Sequence, residues 1–202
     1  MLIKSYRDVE KKLNNIPASI SEAAQATAAT TKFFEPVAVT HGKVRRKFSD
    51  AGLGTNNPAR MLWNEAQYIW GNGQGIDPQV KCFVSIGTGV PISTKVGTDE
   101  RSISKTLKAI AAETEKTARE FEGTHGNLLQ DKRYFRFNVQ QGLQYMKVDD
   151  VKDANEIITH TQDYMEGNEV NTKAVECARN LSKKQCEAYF QHAMFCCWRS
   201  SR

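Results

Sequence analysis

Val80-Lys81-Cys82-Phe83-Val84-Ser85-Ile86-Gly87-Thr88-Gly89 is the stretch on which the fold turns. Its first seven residues are apolar apart from Lys81 and Ser85, the pattern of a central parallel strand covered on both faces. Glycines follow at once. Loops at the carboxyl ends of α/β strands surround the ligand crevice, so Gly87-Thr88-Gly89 marks either a ligand approach or a turn needing tight packing. Cys82, in mid-strand, reads as a small core residue.

Downstream, residues 102–121 repeat apolar side chains at helical spacing, with Ile103, Leu107, Ile110, Thr114, Ala118 and Phe121 on one side. Tyr134-Phe135-Arg136-Phe137-Asn138-Val139 alternates like a strand. Asp150 to Met165 and Asn171 to Trp198 read as helices. The last of these holds Cys177, Cys186, Cys196 and Cys197, with His192 four residues before Cys196. Such a pair faces one way and could take a metal, but no third or fourth ligand stands at usable spacing, so no metal is assigned. His41, His125 and His160 serve no Cys or Ser motif.

Upstream, Gly71-Asn72-Gly73-Gln74-Gly75 stops a helix over Met61–Trp70 whose buried stripe is Leu62, Ala66 and Ile69. These glycines neither follow a strand nor open a helix, which leaves a nucleotide loop poorly supported. Asn56 or Asn57 suits the helix N-cap and Pro58 its first position. Before them runs Phe48-Ser49-Asp50-Ala51-Gly52-Leu53-Gly54-Thr55-Asn56-Asn57-Pro58. A carboxylate at a strand end beside a Gly-rich turn suits a general base. The same chemistry also makes an Asx-type turn, in which Asp50 only satisfies local N–H groups.

Val37–Thr40 and Val44–Phe48 read as two strands around a His41-Gly42 turn. Lys43, Arg45, Arg46 and Lys47 gather there. They would attract an anionic headgroup; the commoner explanation, adopted here, is a charged edge that resists edge-to-edge pairing. Ser19-Ile20-Ser21-Glu22 matches a capping box. The helix behind it, Ala23-Ala24-Gln25-Ala26-Thr27-Ala28-Ala29, carries little bulk. It either lies close against the sheet near Asp50 or is a surface helix of high propensity. Phe33-Phe34-Glu35-Pro36 ends it, because the residue before proline leaves the α region. Residues 1–15 form a polar, frayed entry with a short strand at its start.

A chain of 202 residues, 40% hydrophobic and 25% charged, is one globular domain, or one domain with a helical appendage. The net charge of +5 is mild and does not call for nucleic acid. Five cysteines without a CxxC pair argue against a disulfide framework and fit a reducing compartment. The first residues lack an apolar signal core, and no 18-residue apolar run exists, so a cytoplasmic location is expected.

Several motifs coincide in order with one family. Residues 23–36 resemble the A-x-R-A-T-S-A-A-P-x-F-F-x-P segment of patatin-like phospholipases. Residues 48–58 resemble their D-G-[AG] motif with its N-N-P run, and Val84-Ser85-Ile86-Gly87-Thr88-Gly89 their S-[IL]-G-T-G strand end. Tyr134 to Val139 is similar to a late strand of the fungal members, so the resemblance spans roughly residues 20–165. It implies an α/β class, part of a three-layer fold with a mostly parallel central sheet. It also implies a cofactor-free Ser–Asp dyad acting on lipid or acyl esters, with peripheral membrane contact. On this comparison residues 1–165 are the C-terminal portion of the domain and 166–202 a helical extension.

The resemblance places the catalytic proton acceptor at Asp50, in a turn with Ala51 and Gly52. Here Ala51-Gly52 inverts the family's Gly-Ala; at a position requiring positive φ, alanine costs on the order of 1 kcal/mol. No G-x-S-x-G occurs in the 202 residues, and no Gly-rich oxyanion loop precedes residue 20. A base without its serine forms no acyl-enzyme, so the expectation is an acyl hydrolase portion inactive alone. The alternative is a non-enzymatic remnant that binds lipid or protein.

Overall fold

The structure is a computed structural model that describes residues 3–4, 6, 18–30, 34–51, 55–89, 101–143 and 154–183. The chain divides into two compact units, residues 1–56 and 57–202.

In the first unit, helix α1 spans Ile20–Ala28 and opens on the expected capping box. The Glu22 N–H donates to Ser19 Oγ at 3.2 Å, and the Ser19 N–H donates back to Glu22 Oε2 at 2.8 Å. The helix stops well before Phe33–Pro36, where the sequence places its end. The Ala29 N–H closes a tight turn on the Ala26 carbonyl, and the Ala29 carbonyl accepts from the Asp50 N–H. The β-branched Thr30 gains a partner in Asp50 that a further helical turn would not offer. Ala26 and Ala29 are buried and Ala24, Gln25 and Ala28 exposed, so this helix is half-packed.

Strands β1 (Val37–His41) and β2 (Val44–Phe48) form an antiparallel hairpin, from Val37 opposite Phe48 to His41 opposite Val44. Pairing of His41 moves the turn one residue on, to Gly42-Lys43. Gly42 takes φ +58°, which glycine adopts without strain, as two-residue hairpins require. Val39 is buried, whereas Lys43, Arg45 and Lys47 are exposed. The expected entry strand in residues 1–15 lies almost wholly outside the described residues.

In the second unit, α2 spans Ala59–Trp70. Asn57 Oδ1 accepts from the Ala59 N–H at 3.1 Å, while its amide donates to the Thr114 carbonyl at 3.2 Å. Pro58 takes the cap position rather than the first helical one. The buried stripe differs from the expected one. Ala59 and Trp63 face inward with Ala66 beside them, and Leu62 is 57% exposed. Trp63 offers the larger apolar area, and turning it to the core rotates Leu62 outward by about 100°.

After α2, Asn72, Gly73 and Gly75 all have positive φ. Gln67 Oε1 accepts from the Ile76 N–H at 2.9 Å and holds this loop against the helix that it ends. A single 3₁₀ turn, Asp77–Gln79, then leads to β3 (Phe83–Ile86). Helices α3 (Arg101–Thr124) and α4 (Gly126–Gln130) cross over to β4 (Tyr134–Phe137), which pairs parallel with β3. Parallel neighbours need such a crossover. Thr114, Ala118 and Phe121 follow the expected inward stripe; the side chains of Ile103, Leu107 and Ile110 lie outside the described part.

The expectation of a seven-residue central strand at 80–86 is corrected. Arg133 Nη1 donates to the Asp77 and Val80 carbonyls, which fixes that entry as a turn and starts the strand at Phe83. Ile86 is 79% exposed. The doubly covered strand is β4, where Tyr134, Phe135 and Arg136 are buried in succession instead of alternating. On one face Phe121 of α3 lies 5.2 Å from Tyr134. On the other, Lys173 Nζ of α6 (Asn168–Ser182) sits 5.6 Å over Phe137.

Trp63, Ile76, Phe121, Leu128 and Tyr134 form the core, with Ala66, Val80 and Phe83 packed on it. Phe83 stacks on Phe121 at 5.1 Å, and Trp63 meets both rings edge-on. Helices α5 (Ala154–Glu166) and α6 complete this unit. Met165 lies in the last turn of α5, and after Gly167 α6 packs on β4. Among the described residues, helix and strand are mixed in two two-stranded sheets, one of them parallel, which is compatible with the α/β class. No sheet wider than two strands lies among them, so the mostly parallel central sheet is not seen. No helix among the described residues is long and apolar enough to cross a membrane.

Candidate functional site

Asp50 lies two residues beyond β2 and is half-buried. Its backbone N–H donates to the Ala29 carbonyl at 3.0 Å, and Thr30 Oγ1 donates to its Oδ2 at 3.0 Å. Main chain and carboxylate are thus both held at the end of α1. Among the described residues the carboxylate's partner is a hydroxyl twenty residues away; the N–H groups that an Asx turn would use, on residues 52 and 53, lie outside them. The Thr55 N–H donates to the Ala51 carbonyl at 2.7 Å.

Ala51 is exposed, and its φ is not positive; among the described non-glycine residues only Asn72 and Lys132 have positive φ. The strain expected from alanine at this position is therefore absent. Gly52 lies outside the described residues. A carboxylate oriented by one hydroxyl keeps acceptor capacity and can take a proton from a second hydroxyl brought against it.

For the glycines after β3, the packing alternative prevails. A Cβ on Gly87 would overlap the Asn138 side chain, and one on Gly89 would come within 3.1 Å of Leu143. The Gly89 N–H is itself taken by Asn138 Oδ1 at 2.8 Å. An amide that a ligand would need is thereby occupied from within the fold.

The sequence reading missed a buried polar cluster beside this loop. Arg136, only 9% exposed, donates through Nη2 to Glu115 Oε1 at 2.6 Å and through Nη1 to Ser85 Oγ at 2.9 Å. Asn138 Nδ2 donates to the same Glu115 oxygen at 2.9 Å. The Tyr134 hydroxyl is buried beside it. Burial pushes this phenol up, the Ser85 hydroxyl and the Arg136 guanidinium offset that only in part, and among the described residues no hydrogen-bond partner meets the oxygen. The signal was legible: an arginine within Tyr-Phe-Arg-Phe requires a buried anion. The partner on α3 was not.

His125 is a core-edge residue, 4.2 Å from the Phe121 ring, with Nδ1 at 3.0 Å from the Phe121 carbonyl oxygen. His160 packs where a side chain on Gly142 would stand. Cys82 is half-buried rather than in mid-strand, and its sulfur lies 3.8 Å from that of buried Cys177. Among the described residues no three His, Cys, Asp or Glu side chains gather as a metal would need. The His192/Cys196 pair, with Cys186 and Cys197, lies outside those residues. Set against protein-family models and against curated proteins, the chain matches none of them.

Proposed function

We propose that the chain is the C-terminal portion of a patatin-like lipid acyl hydrolase domain, in which Asp50 is the proton acceptor of a Ser–Asp dyad. The observation carrying this reading is the placement of Asp50, fixed at a strand end by the Ala29 carbonyl and the Thr30 hydroxyl. The order of motifs along residues 20–165 supports it. In this reading a serine Oγ attacks the acyl carbonyl while its proton passes to the Asp50 carboxylate. The proton then goes to the leaving alcohol, and water releases the acyl group. No G-x-S-x-G serine occurs in the 202 residues and no Gly-rich oxyanion loop precedes residue 20, so this reading takes both from a segment outside them.

The test joins the chain to the segment encoded immediately upstream and measures hydrolysis of a short-chain p-nitrophenyl ester. Background rates are expected for the chain alone. Turnover is expected for the joined protein, falling about 10⁴-fold in Asp50→Asn. No turnover in the joined protein, or an active Asp50→Asn, would overturn the assignment.

A second reading, binding without catalysis, is favoured by one face of the hairpin. Arg45 and Lys47 project together, with Lys43 at the turn, and all three are exposed. Vesicles rich in anionic lipid should then sediment the chain and neutral vesicles should not, with Arg45→Glu/Lys47→Glu abolishing the difference. Equal sedimentation by both would sink that reading.

A further inference from the structure

The one close pair of thiols among the described residues joins segments distant in sequence. Cys82 immediately precedes β3, and Cys177 lies in the middle of α6. Their sulfurs are 3.8 Å apart. Both backbones are held by contacts that do not involve sulfur. The Phe83 N–H donates to the Arg133 carbonyl at 2.7 Å and fixes the residue after Cys82.

On α6, three contacts bracket Cys177 along one face. Lys173 Nζ donates to the Arg136 carbonyl at 2.7 Å, Glu176 pairs with Lys132 at 2.6 Å, and Asn180 donates to the Lys132 carbonyl at 2.7 Å. The helix is thereby pinned one turn before, beside and one turn after the thiol. A disulfide closes this separation from 3.8 Å to roughly 2.05 Å.

We propose that Cys82 and Cys177 form a site of reversible oxidation that takes a small-molecule disulfide and links α6 covalently to the entry of β3. The half-buried Cys82 is the point of entry, since Cys177 is closed to solvent. The Cys82 thiolate attacks one sulfur of the small disulfide, forms a mixed disulfide and expels one thiolate. The Cys177 thiolate then attacks the Cys82 sulfur and expels the second, which leaves the Cys82–Cys177 bond. Two electrons pass from the protein thiols to the small disulfide, which departs as two thiols once it has taken up their two protons.

Burial, reinforced by the neighbouring thiol, pushes Cys82 up to about 12. Cys82 therefore rests as a thiol, and exchange is slow. This fits a chain read as belonging to a reducing compartment, where the link is an exception rather than a framework. The inference is independent of the hydrolase reading.

The full chain is incubated with an excess of oxidised glutathione, remaining thiols are alkylated, and the digest is mapped by mass spectrometry. The expected product is a Cys82–Cys177 cross-linked peptide that disappears on reduction. Closing a loop of about 95 residues should raise the unfolding midpoint by roughly 10 °C. Cys82→Ser and Cys177→Ser should each lose that shift, while Cys186→Ser/Cys196→Ser/Cys197→Ser keeps it. Should the single variants fail to fold, the parent's peptide map decides alone. Cys82 and Cys177 recovered as separate alkylated or singly glutathionylated residues would overturn the proposal.

Discussion

Arg136 sits within an aromatic strand, and Glu115 makes that burial tolerable by holding a carboxylate 2.6 Å from the guanidinium. Replacing one partner of such a pair leaves an uncompensated charge, which is dearer than the pair's own net worth. Glu115→Gln should therefore cost about 2 kcal/mol of stability in urea titration, below the full buried-pair figure because water reaches part of this carboxylate. A loss under about 0.5 kcal/mol, the range of ordinary surface changes, would mean that Arg136 is neutralised some other way. Gly87 meets the same cluster from the opposite side. Gly87→Ala drives a methyl into the Asn138 side chain, which cannot swing away without leaving both Glu115 and the Gly89 amide. A cost of about 1–3 kcal/mol follows from the overpacking. Thr30 was invisible as a partner of Asp50 because nothing local links them: the bond spans twenty residues and exists only once α1 stops.

At the scale of elements, what was legible is what local chemistry decides. Ser19 and Glu22 announce the start of α1, and the Gly42 turn announces the hairpin, because each needs only neighbours within a few residues. What was not legible depends on distant groups: Arg133 cuts β3 short, Asp50 stops α1, and Trp63 displaces Leu62 from the core face of α2. The capping box also carries a pH dependence. The Ser19 N–H, and after it the Ser19 hydroxyl, hold the Glu22 carboxyl below its usual range. A folded-state pKa below the unfolded value adds stability that is present above the ordinary carboxylate range and is lost as pH falls through the folded value. The first turn of α1 should thus fray on acidification below about pH 4. In Ser19→Ala the Glu22 titration followed by NMR should move up toward the free carboxylate value. An unmoved midpoint would show that the lowering does not come from this box.

The whole molecule raises the matter of an open strand edge. In the parallel pair the Phe83 and Gly87 N–H groups point to β4, so alternation turns the Val84 and Ile86 amides the other way. Among the described residues no strand lies on that side, and Ile86 is 79% exposed at the end of β3. A β3 edge that no described strand covers, with an exposed isoleucine, is a template for another strand. The hydrolase proposal supplies an occupant, since the segment that brings the serine would also bring neighbouring strands. Two outcomes then belong together. Ile86→Lys should lower concentration-dependent light scattering of the chain alone by about tenfold, with stability changed by less than about 0.5 kcal/mol, because an edge lysine opposes pairing without touching the core. Joining the upstream segment should protect the Val84 and Ile86 amides from hydrogen exchange. If the lysine variant associates as the parent does, the edge is not the contact surface. If the joined protein leaves those amides exchanging freely, that segment pairs elsewhere and the sheet is not completed at β3.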